Sequence, residues 1–243
     1  MENNEEHLKE TERLEQSDEL FLIENAKPVR EIDLRLTGGG KKENRRALDF
    51  YPTPFEVTKV LMEFLNEKNI INSKDRKEIW EPACGNGAMS NVIKSYGHFV
   101  FCSDIAEECD INGVQFPDGN SSTDFLDPKV FEKNVDAIIT NPPFDKSMQF
   151  IEKALTIAPI VCMLLKSQYW HAKSRYELFN KHKPAYILPL TWRPDFLEHE
   201  RKVGDKKGAP TMEVAWTVWV KGDTETKYNP LLKPKPVNFK DLS

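Results

Sequence analysis

Asn141-Pro142-Pro143-Phe144 follows directly on VDAIIT, an apolar run at residues 135–140 that reads as a buried strand. Two consecutive prolines stop the strand, fix the backbone and remove two N–H donors. The side-chain oxygen of Asn141 and the carbonyl of Pro142 can then both point at one amino group. An aromatic ring follows immediately. Asn-Pro is also a common start for an ordinary rigid turn. Position separates the two readings, because ligands of open α/β sheets bind at the carboxyl ends of the strands. A second constellation, EPACGNG (Glu81 to Gly87), closes another short strand. Its glycines let the backbone bend tightly and approach a ligand. Gly-x-Gly alone is a weak signal, and the lysine and Ser/Thr of a P-loop are missing, which argues against an NTPase. Asp104 closes the next strand, 23 residues after Glu81. Alone it reads as a helix cap; paired with the glycine turn, its carboxylate suits two ribose hydroxyls of an adenosine-containing cofactor.

These residues need elements to hold them. FEVTKVLMEFLNEK after Pro54 has Val57, Val60, Leu61, Phe64 and Leu65 on one helical face. Strands are predicted at 78–82, 98–104, near 121–124, at 135–140, 159–165, 185–190 and 213–220, with helices at 88–96, 147–157 and 172–181. The last strand alternates, with Val214, Trp216, Val218 and Val220 on one side. Strands interleaved with such helices predict an α/β fold: a mostly parallel seven-stranded sheet with helices on both faces. The last two strands have no helix between them, so an antiparallel pair is expected at one edge.

Composition bounds the partners. The 243 residues carry 34 basic and 39 acidic side chains, a net charge of −5. Residues 1–26 hold nine acids and two bases, leaving the rest at +2, and residues 27–47 stand at +4. A nucleic-acid ligand is therefore compatible with the acidic total. Residues 1–47 read as an acidic, then basic, flexible extension with TGGGKKENRRA as its linker. Residues 48–222 read as the catalytic domain and 223–243 as an extended, proline-containing tail. The four cysteines form no CxxC pair and the five histidines are scattered, so neither a disulfide scaffold nor a metal site is expected. No apolar run is long enough for a bilayer span and the N-terminus lacks a signal-peptide pattern, so a cytoplasmic protein without membrane contact is the expectation.

Over about residues 48–220 the chain resembles S-adenosylmethionine-dependent amino-methyltransferases, in particular the phage-type DNA N6-adenine methyltransferases. The resemblance implies a Rossmann-like methyltransferase fold with S-adenosyl-L-methionine as cofactor. NPPF would be the catalytic loop (Asn141, Pro142, Pro143, Phe144). EPACGNG would be the cofactor turn (Glu81, Pro82, Ala83, Gly85, Gly87), followed by Asp104 and Ile105. FYPTP is similar to the segment that packs on the cofactor in this family (Phe50, Tyr51, Thr53). Asp124 and Phe125 of DFL resemble an element near the cofactor adenine, and Asn141 would border both cofactor and substrate. LLKSQYW, RPDF and EVAWTVWVKG also resemble the family's later strands. NPPF is shared with RNA adenine methyltransferases, and NPPY marks glutamine methyltransferases of release factors.

The chemistry that follows is transfer to the N6 amine of adenine in DNA. That amine is planar because its lone pair is delocalised; two acceptors gripping its hydrogens would favour a pyramidal nitrogen. Phe144 would stack on a flipped-out base, and flipping costs a few kcal/mol. Phosphate contacts are expected at the strand carboxyl rim from Lys41, Lys42, Arg45, Arg46, Lys166, Arg175, Arg193, Arg201, Lys202, Lys206 and Lys207. Trp170 and Trp192 are further stacking candidates, although tryptophan more often packs. Competing readings are an RNA adenine methyltransferase, cytosine N4 methylation, a protein glutamine methyltransferase and a non-catalytic subunit that keeps the fold.

Overall fold

In a computed structural model, described over residues 52–106, 123–129, 134–197 and 210–235, strands and helices alternate where the sequence periods demand. Helix α1 spans Phe55–Glu67. Pro54 precedes it, its carbonyl accepting from the Val57 N–H at 3.0 Å. The five apolar positions read from the sequence are all buried, and each such side chain removed from water is worth roughly 1.5–3 kcal/mol. Strand β1 is Glu78–Glu81, α2 is Ala88–Ser95, β2 is Phe99–Cys102, and β3 is Ala137–Thr140. Helix α3 is Ser147–Ile157, β4 is Ile160–Lys166, and α4 is Tyr176–Lys181. Strands β5, β6 and β7 are Tyr186–Pro189, Val214–Val220 and Lys227–Tyr228.

The seven strands form one sheet in the order β2-β1-β3-β4-β6-β5-β7. Only β6 is reversed; it pairs antiparallel with β4 and β5, and β7 runs parallel to β5. Alternate residues of each strand feed opposite cores. Ile79, Ala137, Ile139, Cys162, Leu164 and Trp216 pack with α1 and α2. Trp80, Ile138, Val161, Met163 and Trp219 pack with α3 and with Leu178 of α4. Helices thus cover both faces, the arrangement the alternating pattern predicts. The Trp216 indole N–H donates to the Val57 carbonyl at 2.9 Å, tying β6 to α1.

Four details differ from expectation. The antiparallel strand β6 sits inside the sheet, two places from its end. Of the strand expected near 121–124, residues 121 and 122 lie outside the described residues and 123 and 124 lie in no strand; one backbone bond joins the Thr123 N–H to the Asp104 carbonyl at 2.7 Å. The Asp124 side chain then accepts the Leu126 N–H at 2.9 Å, a local turn that ends any ladder. The seventh strand is instead β7, and Leu231 adds a bridge to Leu190. The helix predicted at 172–181 is two 3₁₀ turns, 169–171 and 173–175, followed by α4. Ala172 between the two turns is extended, with φ −85° and ψ 133°.

Candidate active site

β1 and β3 are neighbours, so the turn leaving β1 and the loop leaving β3 emerge side by side. The glycine turn depends on two left-handed residues, Gly85 at φ 51° and Gly87 at φ 75°. A side chain there would strain the backbone by about 1–2 kcal/mol. Asp104, beyond β2, holds the turn: one carboxylate oxygen accepts the Gly85 N–H at 2.8 Å and the other accepts the Ala106 N–H at 3.0 Å. The Cys84 N–H donates to the Ser103 carbonyl at 3.0 Å, a second tie to the same strand end. Ile105 stands 41% exposed beside Asp104, an apolar surface next to a carboxylate.

Beneath the turn is a buried polar cluster. Glu81 is 2% exposed and its carboxylate accepts a hydrogen bond from the Ser90 hydroxyl. Burial pushes the Glu81 carboxyl well above the usual range, against the opposing pull of Ser90. The Ser90 Oγ also lies 2.9 Å from the Cys102 Sγ. Hydrogen bonding to the Cys84 thiol, aided by Ser90, outweighs burial and lowers the Cys102 thiol to about 7. Glu81, Pro82 and Gly87, all expected at the cofactor, are buried, whereas Asn86 is exposed and Ala83 and Gly85 are half-buried.

The NPPF loop is built differently. The Asn141 Nδ2 donates to the Thr53 Oγ1 at 3.2 Å, joining the loop to the segment that leads into α1. The Pro143 carbonyl is taken by the Lys146 N–H at 3.0 Å and the Ser147 hydroxyl at 3.1 Å; that hydroxyl also reaches the Phe144 carbonyl at 3.1 Å. Among the described residues no donor is hydrogen-bonded to the Pro142 carbonyl or the Asn141 Oδ1. Phe144 is partly buried, and the Lys166 ammonium stands over its ring, 4.5 Å from the centroid. One loop thus carries two contacts: Asn141 meets Thr53, and Phe144 meets Lys166.

Other expected residues fall elsewhere. Phe125 is 1% exposed, packed edge-on to Trp80 at 5.1 Å and against Phe150 at 4.8 Å. It is a core residue, and only Asp124 of that pair has an open surface. Arg193 is engaged with Glu213, its Nε at 3.1 Å from the carboxylate. Arg175 stacks on the Tyr169 ring at 4.7 Å. Trp170 packs against Phe179 and Trp219 and donates to Thr217 at 3.4 Å, a structural role. Trp192 packs on the α1 side of the core, its buried indole nitrogen without a hydrogen-bond partner among the described residues. Phe50, Tyr51, Lys41, Lys42, Arg45, Arg46, Arg201, Lys202, Lys206 and Lys207 lie outside the described residues. One candidate was missed: Phe55, two residues after Thr53, is 59% exposed. The signal was available, since position 55 is off the stripe formed by 57, 60, 61, 64 and 65. Among the described residues no three His, Cys, Asp or Glu side chains converge as a metal site, and no helix is long and apolar enough to cross a membrane.

No protein-family model and no curated protein matches the chain. Solved structures do. A proposed RNA methyltransferase, PH1948 from Pyrococcus horikoshii, aligns at a TM-score of 0.55 and 18% identity, over 72% of this chain and 87% of that one. A proposed class I S-adenosylmethionine-dependent methyltransferase from Listeria monocytogenes aligns at 0.48 and 16%, over 84% and 68% of the two chains. A DrdV–DNA complex aligns at 0.47 and 15%, over 81% of this chain and 29% of that one. The first likeness, with the sheet order above, shows a Rossmann-like methyltransferase fold.

Proposed function

We propose that this protein transfers a methyl group from S-adenosyl-L-methionine to the exocyclic N6 amine of adenine in DNA. The observation that carries the reading is the acceptor pair at the end of β3. Asn141 Oδ1 and the Pro142 carbonyl both lack a donor among the described residues, whereas the next carbonyls along the loop are occupied. Two open acceptors beside an aromatic ring suit a planar amine with two hydrogens.

The residues at the glycine turn fit the cofactor. Gly85 gives the backbone close approach, Asp104 has lone pairs to spare for ribose hydroxyls, and Ile105 offers an apolar face for an adenine ring. When bound, the cofactor supplies an electrophilic methyl group on sulfur. The chain does the rest. Asn141 Oδ1 and the Pro142 carbonyl each accept one hydrogen of the amine and hold its lone pair toward the methyl. As positive charge develops on nitrogen, these fixed dipoles stabilise it without reorganising; one such dipole is worth about 2.7–4 kcal/mol by analogy with oxyanion holes. No strong base is needed, because the methylated ammonium is acidic and loses its proton afterwards. Phe144 stacks on the base, returning about 1–3 kcal/mol of the cost of flipping it. Lys166, seated over that ring, supplies positive charge for phosphate.

The test is transfer of labelled methyl to unmethylated duplex DNA, single-stranded DNA and bulk RNA in parallel, with the modified nucleoside identified by mass spectrometry. N6-methyladenine in DNA is the expected product. Label confined to RNA, N4-methylcytosine in place of N6-methyladenine, or label in neither nucleic acid would overturn the assignment.

A further inference from the structure

The family resemblance assigns Thr53 to the cofactor; the geometry assigns it a second task. We infer that Thr53 is a positioning residue for the catalytic amide, setting which end of Asn141 faces the target base. The inference rests on the reading of Asn141 given above and deepens it.

An asparagine amide has two ends of nearly equal size and opposite hydrogen-bonding sense. Sterics cannot choose between them, so the partners must. If Nδ2 faced the target amine, donor would meet donor and the grip would become a repulsion. Proline at 142 and 143 fixes the backbone of the loop but says nothing about rotation of the Asn141 side chain. The contact that does is 88 residues away in sequence: Nδ2 donates to the Thr53 Oγ1 at 3.2 Å. With Nδ2 committed there, Oδ1 is the end left for the substrate. A hydroxyl can accept or donate, so its presence, rather than its identity as threonine, is what the contact requires.

The position of Thr53 suits the task. It is 7% exposed, so water competes poorly for Asn141. It precedes Pro54, whose fixed φ of −56° leads into α1, and the 0–6% exposed stripe of α1 anchors that helix on the sheet. Thr53 is thus held by the core rather than by a loose loop. The sheet carries Asn141 through β3 and Thr53 through α1, and the hydrogen bond joins the two at the site.

Two readouts test this beyond activity. The first is binding of an oligonucleotide duplex with adenine, or with hypoxanthine, at the position the wild-type protein methylates. Hypoxanthine presents an acceptor where adenine presents a donor. Wild type and Thr53→Ser should prefer adenine. Thr53→Val, nearly isosteric and without a hydroxyl, should lose about tenfold of that preference, as expected when one buried partner is removed. Its affinity for S-adenosylhomocysteine should fall less than its preference does. The second is the Asn141 side-chain amide resonance pair in the free protein, by 15N-edited NMR. It should be shifted and slow to exchange in wild type and Thr53→Ser, and collapse toward free-amide values in Thr53→Val. An unchanged adenine-to-hypoxanthine ratio in a folded Thr53→Val protein overturns the inference. If wild type itself discriminates neither base, the proposed function fails, and the amide signal then decides the role of Thr53: unchanged in Thr53→Val, the role is absent.

Discussion

The two loops at the carboxyl end of the sheet are opposites in construction. The turn after β1 is made of glycines with left-handed backbone, and its N–H groups are taken up inside the fold: Cys84 by the Ser103 carbonyl, Gly85 by Asp104 and Gly87 by the Cys84 carbonyl. The loop after β3 is made of prolines, has no N–H at two consecutive positions, and offers oxygens. A turn closed by its own hydrogen bonds and built on glycine lets a ligand come close to the backbone. An acceptor-rich loop suits a ligand bearing an amine. The difference teaches that adjacent strand ends can be built in opposite ways, one closed upon itself and the other with acceptors left unfilled among the described residues.

That division can be broken by substitution. The largest effect is expected from Asn141→Ala, which should lower kcat by about 10²–10³-fold, the usual result of losing one preorganised dipole. Calorimetric affinity for S-adenosylhomocysteine should stay near wild type; an equal loss of both would mean the loops do not divide the work. Gly85→Ala should do the reverse. Forcing a side chain to φ 51° costs about 1–2 kcal/mol. The cofactor should bind roughly tenfold more weakly, with most of kcat recovered at saturation. Lys166→Gln is a smaller change, read as salt dependence. If the ammonium over Phe144 meets phosphate, the slope of log affinity against log salt should fall by about one; an unaltered slope would leave Lys166 only a packing role.

The smallest effect concerns Glu81, which supports the glycine turn from below. Burial raises its carboxyl in the fold well above the 4.5 of the unfolded chain. The native state therefore binds more protons as pH rises above that value, and stability declines through the window up to the raised native value. Glu81→Gln removes this decline. Its melting temperature relative to wild type should improve from pH 5 to pH 8; a variant that loses ground toward pH 8 would show that the charged form is the one the turn needs.

How much of this the sequence disclosed varied by element. The helical stripe from Val57 to Leu65 and the alternation from Val214 to Val220 are local patterns, and both faces were legible. So was NPPF, because prolines restrict the backbone wherever they stand. Phe125 was not. Its motif suggests a ligand edge, but its burial depends on Trp80, 45 residues earlier, and Phe150, 25 later. The place of β6 inside the sheet was also hidden, since alternation reports which faces a strand has and not which neighbours. Arg193 read as a free cation until Glu213 was seen beside it.

The reversed strand has a consequence for synthesis on the ribosome. β6 pairs with β4 along seven residues, Ile160 with Val220 through Lys166 with Val214, yet it is made almost fifty residues later. Until it emerges, the apolar strand β4 has an open edge, and β5 has no strand to join it to the rest. An unpaired apolar edge of that length is a template for association with other chains. A nascent chain halted before residue 214 should therefore need a holding chaperone, and release should follow once Trp216 reaches the Val57 carbonyl. The strand that joins β5 to the rest of the sheet thus also sets the moment at which the protein becomes safe to let go.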